Sequence, residues 1–256
     1  MNAVLKVFAS GILVTPLIFA SGCNSLMGSS GNTTAQTDDD ANVNPQLKKD
    51  SPQFFSKSGA QGCATGAMAG VLACLFSNSK NKLACSVAAG VGGCAVGMTA
   101  NYLLDKVRSD YHNTEDQLDA TKAAVQENID KTAKLRDLSA RTLKEDQDSV
   151  KQLNADYEKG AVSADKLKAK DRELTANIKF LTEKKGEAEL KLKEVQTARD
   201  GVVKDAGGED SMTAANVRQL KELDKQIAEL KQNIDDLNTN IVAYSVSRDS
   251  LSVKNA

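Results

Sequence analysis

Side chains that commonly carry out enzyme chemistry are scarce or dispersed in this sequence. His112 is the only histidine, so a Ser/His/Asp or Cys/His arrangement has a single position around which to form. Adjacent carboxylates occur at 209–210 and 235–236, in charged surroundings typical of a solvated helix face. A phosphate-binding Gly-x-x-x-x-Gly-Lys-Ser/Thr loop is absent from the sequence. We therefore expect no enzyme activity, no cofactor and no small-molecule substrate.

Four cysteines lie in two uncharged stretches, and their spacing suggests how they pair. In an antiparallel helical hairpin, facing positions have a nearly constant sum of residue numbers. That rule favours a Cys74–Cys85 disulfide and, at an edge position, a Cys63–Cys94 disulfide. Four buried thiols are the alternative. Because no histidine or closely spaced cysteine pair accompanies them, the sequence does not predict a metal site.

The fifth cysteine, Cys23, follows a segment with the features of an export signal. Residues 1–22 contain one positive charge, Lys6, then an apolar run over 7–19 and a small-residue ending. The apolar run is short for a transmembrane helix, and Pro16 interrupts it. We interpret residues 1–22 as a signal peptide.

The sequence Ala20-Ser21-Gly22-Cys23 resembles the lipobox of bacterial lipoproteins, with Ala20 where leucine is usual. The resemblance implies cleavage before Cys23 and lipid on its sulfur and amino group, including palmitate. Asn24 stands where an aspartate commonly retains lipoproteins in the inner membrane. The resemblance therefore implies an outer-membrane anchor facing the periplasm. A secretory signal followed by a chance cysteine is the alternative.

Residues 23–57 are rich in Ser, Asn, Thr, Asp and Gln, with an acidic cluster at 38–40. Their few apolar residues do not offset the entropy lost on ordering, so the composition predicts a disordered tether.

Residues 58–104 form the next region, which we predict to be a hairpin of two helices. Its uncharged stretches, 58–79 and 83–104, are each about long enough to cross a bilayer and are joined by a polar turn. Small residues recur at four-residue spacing, which places each row on one helix face and allows close packing. The rows that we expect to pack contain Gly62, Gly66, Gly70, Ala89, Gly93 and Gly97.

This region resembles the glycine-zipper domain of bacterial envelope lipoproteins in residues 62–70 and 93–97 and in its exit at 101–106. The resemblance implies a helical hairpin inserted in, or lying on, the outer membrane. Cys74 and Cys85 continue the small-residue rows, where the family usually has Gly or Ala. A soluble hairpin buried in an oligomer is the alternative.

Residues 105–256 are charged and contain no proline, a composition typical of long helices and coiled coils. An Ile/Leu seam repeats every seven residues near the C-terminus. It contains Leu220, Leu223, Ile227, Leu230, Ile234, Leu237, Ile241 and Tyr244. Ile at the a position and Leu at the d position of the seven-residue repeat suit a parallel two-stranded coiled coil. An antiparallel partner within the chain is also available at 163–199.

Two further helices are predicted upstream of the seam. The segment 163–199 has one apolar row and a mixed row with Asp171, Lys185 and Arg199, which suggests a solvated flank or a register device. The apolar spacing of the helix predicted over 105–157 is less regular. This helix is either separate from the second helix of the hairpin at 58–104 or continuous with it. We expect a helical hairpin or a three-helix arrangement, with breaks at Gly160 and at 201–211.

The charges of the whole chain nearly cancel, at 33 basic against 34 acidic residues. This balance predicts no nucleic-acid partner. The expected protein is all-α and is a lipid-anchored scaffold. It organises the outer membrane or positions partners through a periplasmic coiled coil. Its expected partners are membrane lipid and either another copy or another envelope protein. Two alternatives are an accessory lipoprotein of a transport or secretion complex and an oligomeric pore.

Overall fold

The computed structural model of the chain describes residues 41–55 and 101–251. These two ranges are helical apart from short connections, with no β-strand within them, which confirms the all-α prediction. The α-helices are α1 (Pro45–Asp50), α2 (Tyr102–Asp110), α3 (Thr114–Glu158), α4 (Ala164–Asp205) and α5 (Ala214–Asp249). A 3-10 turn, Glu209–Ser211, precedes α5.

The ends of the long helices follow local sequence signals. Asn113 caps α3, because its side-chain oxygen accepts a hydrogen bond from the backbone N–H of Asp116 at 2.8 Å. Gly160 follows α3 with a φ of 70°, a left-handed conformation that glycine adopts without steric cost. Ser163 stands at the N-cap position of α4, but its side chain makes no capping hydrogen bond.

The three long helices form a bundle in which α3 and α5 run parallel. Three contacts between them pair residues in increasing order: Lys122 with Glu222, Thr142 with Tyr244, and Asn154 with Ser250. Helix α4 runs antiparallel to both. The parallel partner that suits the Ile/Leu pattern is therefore α3 of the same chain, the segment whose apolar spacing is least regular in the sequence.

The Ile/Leu seam lies inside this bundle. Ile227 is half-buried, and the other seam residues are buried: Leu220, Leu223, Leu230, Ile234, Leu237, Ile241 and Tyr244. Burial of each such side chain contributes roughly 1.5–3 kcal/mol. The seam is thus used for packing within one chain.

The structure divides the helix predicted over 105–157 into two. Helix α2 ends at Asp110, and α3 begins after the extended residues at 111–113. The predicted boundary between hairpin and coiled coil, at 104/105, falls inside α2. Leu104, the last residue of the uncharged stretch, packs against Gly201 of α4.

The prediction of a disordered tether over 23–57 is wrong for residues 41–55. Asn44 caps α1, and Val43, Leu47 and Phe54 are buried against the bundle. Average composition missed this segment because three well-spaced apolar side chains suffice to dock it. We call residues 43–55 the strap.

Candidate functional site

All the residues singled out for lipidation, close helix packing and disulfides lie outside the described ranges. They are Cys23, Cys63, Cys74, Cys85, Cys94 and the small-residue rows between 62 and 97. In the described ranges no helix is long and apolar enough to cross a membrane. The same ranges hold no group of three or more His, Cys, Asp or Glu side chains arranged to bind a metal ion. His112 is exposed.

The structure places a buried polar network where α3, α4 and the strap meet. Lys170 on α4 donates to a carboxylate oxygen of Asp146 on α3 at 2.6 Å, and both side chains are buried. Asn177 donates to the other Asp146 oxygen at 3.1 Å. Asp146 therefore joins two positions of α4 that lie two helical turns apart, which sets the register of α3 against α4.

The same network fastens the strap. The side-chain oxygen of Asn177 accepts a hydrogen bond from the backbone N–H of Asn44 at 2.8 Å. Asn177 thus uses both ends of its amide, one for Asp146 and one for the strap. A fully buried amide without such partners would destabilise the fold, so the strap completes the network.

A second set of hydrogen bonds ties α3 to α5. Thr142 and Tyr244 share a buried hydrogen bond of 2.6 Å between their hydroxyl groups. One turn away, Asn240 donates to the hydroxyl of Ser139 at 2.8 Å, and further toward the start of both helices Arg136 donates to Asn233; these two bonds are partly buried. Burial raises the pKa of Tyr244 well above its usual range, and the nearby carboxylate of Asp146 raises it further.

From Asn44 the strap runs along α4 to Phe55. The amine of Lys191 lies 4.1 Å from the centre of the Phe55 ring, a cation–π contact. Between these points, α1 forms one wall of an open cleft of about 470 Å³ against α3. The cleft is lined by Pro45, Gln46, Lys49, Asp50, Leu138, Arg141 and Glu145.

Helix α2, which follows residues 56–100 in the chain, docks on α4. Leu104 lies so close to Gly201 that a Cβ there would clash with the end of the Leu104 side chain, so a larger residue would force that side chain to shift. Arg108 donates two hydrogen bonds to the carboxylate of Asp205, at 2.7 and 2.8 Å. This bidentate pair lowers the pKa of Asp205.

The mixed row of α4 contains one residue, Arg199, that bonds to α5, and another, Lys185, that is buried. Arg199 donates to Asp224 at 2.9 Å and to Glu209 at 2.9 Å, which links α4 to α5 and to the connection between them. These partners raise the pKa of Arg199. Lys185 is almost completely buried and pairs with Glu189 at 2.7 Å. Burial of Lys185 could not be foreseen, since a lysine in a charged helix is usually solvated.

The docked strap is the feature that the sequence analysis missed. Asn44-Pro45, a cap followed by a helix-starting proline, was the local signal for α1. Comparisons of this chain with protein-family models, with curated proteins and with solved structures found no match. The arrangement of the described residues is one that holds chain segments together, because its buried polar groups bind one another.

Proposed function

We propose that this protein is a lipid-anchored scaffold of the bacterial envelope that faces the periplasm from the outer membrane. In this proposal Cys23 carries the lipid, and the bundle positions a partner or a second copy relative to the membrane. The protein acts through binding and geometry and is not an enzyme.

The observation that supports a scaffold is the construction of the bundle. Helix α3 has 45 residues, which corresponds to about 68 Å. In its middle part α3 is linked by hydrogen bonds to both neighbours, at Asp146 to α4 and at Thr142 and Arg136 to α5. A long bundle with internal polar links resists bending and sliding, as a spacer must.

The docked strap shortens the tether that the proposal assigns to the lipid anchor. Val43 is the first buried residue of the described chain, so the segment from Cys23 to the bundle is 24–42. A flexible chain of that length has an end-to-end distance on the order of 25 Å. The bundle would therefore stay close to the membrane surface.

A lipid-labelling experiment tests the anchor. Cells expressing the full chain are fed radioactive palmitate, and the protein is compared with the variant Cys23→Ser. We expect label and membrane association for the native chain and loss of both for the variant. Cys74→Ser is the matched control and should keep the label. An unlabelled native protein, or a Cys23→Ser variant that stays labelled, would overturn the proposal.

Copurification tests the scaffold part. The native protein is extracted in mild detergent, and its mass and companions are measured. A homo-oligomer, or a complex with an envelope structural protein, supports the scaffold. A stoichiometric set of transport or secretion proteins would replace it with the accessory-lipoprotein function. Dye leakage from liposomes that contain the purified protein would instead support a pore.

One observation favours the accessory function as a second candidate. Tyr102 and Tyr111, at the two ends of α2, are 62% and 40% exposed. Exposed tyrosines are enriched at protein interfaces, where the ring supplies area and the hydroxyl supplies a hydrogen bond. Changing both to serine should weaken copurification with a machine component and leave self-association unchanged.

A further inference from the structure

The polar contact that receives the strap is fixed by the bundle alone. Asn177 is fully buried, and its amide nitrogen donates to Asp146, which also binds Lys170. All three residues belong to α3 and α4, so they set the direction of the Asn177 oxygen without the strap. That oxygen accepts the backbone N–H of Asn44 at 2.8 Å. The groove between α3 and α4 therefore presents a fixed acceptor to any strap that lies in it.

Apolar and cationic contacts complete the fit between strap and groove. At the far end of the strap, the Phe55 ring lies 4.1 Å from the amine of Lys191. The strap thus follows α4 over about 21 Å, from Asn177 to Lys191. Three of its side chains join the apolar core of the bundle: Val43, Leu47 and Phe54. The groove fits this particular sequence, and every copy of the chain carries it.

The strap can leave its groove without opening the bundle. Its helix α1 has six residues, and an open cleft of about 470 Å³ lies between α1 and α3. Four charged side chains line this cleft, and within the described ranges none of them forms an ion pair across it: Lys49, Asp50, Arg141 and Glu145. A short element without such links opens locally more easily than the long helices do.

We propose that the strap exchanges between copies, so that residues 43–55 of one chain dock in the groove between α3 and α4 of a second copy. The same contacts form in both cases, so exchange loses neither the apolar packing nor the hydrogen bond to Asn177 and adds no stability to the bundle. Reciprocal exchange gives a closed, two-fold symmetric pair. Exchange needs neither the lipid anchor nor an envelope partner, so it extends the proposed function without resting on it.

The chain between the strap and α2 is long enough for exchange. It comprises residues 56–100, and a chain of that length spans at most about 150 Å. Two bundles side by side are roughly 20–25 Å apart, because each helix is about 10–12 Å wide. Helix α2 stays on its own α4 through Leu104 and Arg108, so only the strap changes place.

Crowding decides how often exchange occurs. Within one chain the tether holds the strap near its own groove at an effective concentration on the order of 1 mM. A second copy competes when its concentration approaches that value. A second copy is favoured over an unrelated peptide as the occupant, because it brings every contact that the groove makes with the strap.

Disulfide trapping in the full chain tests the exchange. Gln46 of α1 and Arg141 of α3 are exposed and line the same cleft. Protein carrying Gln46→Cys is labelled with heavy isotopes, and protein carrying Arg141→Cys is left light. The two are mixed in mild detergent at roughly 1 mM and oxidised with copper phenanthroline. Mass spectrometry identifies each disulfide, including those of the native cysteines, and the chains that it joins.

Two controls accompany the mixture. The double variant with Gln46→Cys and Arg141→Cys in one chain should form the 46–141 bond within that chain, which checks that the two positions can meet. Glu229→Cys, at an exposed position of α5, replaces Arg141→Cys in a matched mixture. Circular dichroism confirms that each variant keeps its helix content. We expect the 46–141 bond between heavy and light chains to exceed the 46–229 bond several-fold.

Phe54→Ala distinguishes exchange from random association, because its effect depends on which chain carries it. In the Arg141→Cys chain it loosens the resident strap and should raise the yield of the heavy–light bond. In the Gln46→Cys chain it weakens the incoming strap and should lower that yield. Random association predicts the same effect in both chains.

Three results would overturn the exchange. The first is a heavy–light 46–141 bond no more frequent than the 46–229 bond, while the double variant forms its bond. The second is an effect of Phe54→Ala that does not differ in sign between the two chains. The third is a double variant that forms no 46–141 bond, which would contradict the docking of the strap itself.

Discussion

At the scale of single residues, Asp146 links α3, α4 and the strap, a role that no sequence pattern indicates. It binds Lys170 and Asn177, and Asn177 in turn binds the strap at Asn44. A buried ion pair stabilises a fold only weakly compared with apolar packing, but losing one partner leaves a costly unpaired charge. The network therefore determines register more than it raises stability.

Asp146→Ala tests this role. The substitution leaves the Lys170 ammonium without its closest buried partner, so we expect a loss of about 3–5 kcal/mol in the free energy of unfolding. Urea denaturation followed by circular dichroism measures it. Asp148→Ala removes an exposed pair with Lys144 on the same helix, which solvent screens, so we expect a far smaller loss. Equal losses for the two variants would contradict the assignment.

Tyr244 makes the stability of the bundle sensitive to high pH. Burial raises its pKa, so the neutral phenol is the form that the folded state favours. A group whose pKa is raised on folding stabilises the fold fully below its unfolded pKa of about 10. That contribution is lost as the pH rises above this value, because the unfolded chain then releases the proton more readily.

Tyr244→Phe separates the hydroxyl from the ring. At neutral pH we expect a loss of about 1 kcal/mol from the missing hydrogen bond to Thr142. Above pH of about 10 the variant should lose stability less steeply than the native chain, because it has no phenol to ionise. Urea denaturation at a series of pH values measures both effects. Parallel pH profiles would show that Tyr244 does not titrate with unfolding.

At the scale of elements, the strap is a short segment that depends on the bundle for its structure. An isolated helix of the six residues in α1 is not stable in water. Its order comes from buried Val43, Leu47 and Phe54 and from the hydrogen bond to Asn177. Elements held by few contacts open locally before the rest of the molecule unfolds.

Phe54→Ala should release the strap without unfolding the bundle. Truncation of a buried phenylalanine costs roughly 3–5 kcal/mol, and here the loss is limited to the docking free energy of the strap. We expect faster hydrogen exchange over 43–55 and little change in α3. Gln53→Ala, at an exposed neighbour, is the control. A matching drop in the stability of α3 would mean that strap and bundle unfold as one unit.

At the scale of the whole molecule, the Ile/Leu seam is buried by helices of the same chain. Its parallel partner is α3 and its antiparallel partner is α4, so any assembly of the protein must use other surfaces. Contacts far apart in sequence hold the bundle closed, such as Lys122 with Glu222 and Arg199 with Asp224.

The thermal midpoint tests this conclusion. If the seam lies within one chain, the unfolding midpoint should stay constant over a roughly 100-fold range of protein concentration. Circular dichroism melting curves of the full chain in mild detergent measure it. A midpoint that rises with concentration would show that copies associate, through the seam or another surface, and would contradict a bundle that is stable as a single chain.

The sequence by itself determined the helical class, the break at Gly160, a second break within 201–211, and the residues of the seam; α4 continues through Gly201 to Asp205. These features depend on neighbours within a few positions, where helical periodicity and left-handed glycines act. Only the tertiary structure decided which helices share the seam, that the strap docks, and that Leu104 meets Gly201. Those contacts join residues that are often about a hundred positions apart, and they depend on shape and on buried hydrogen-bond partners, which no local pattern encodes.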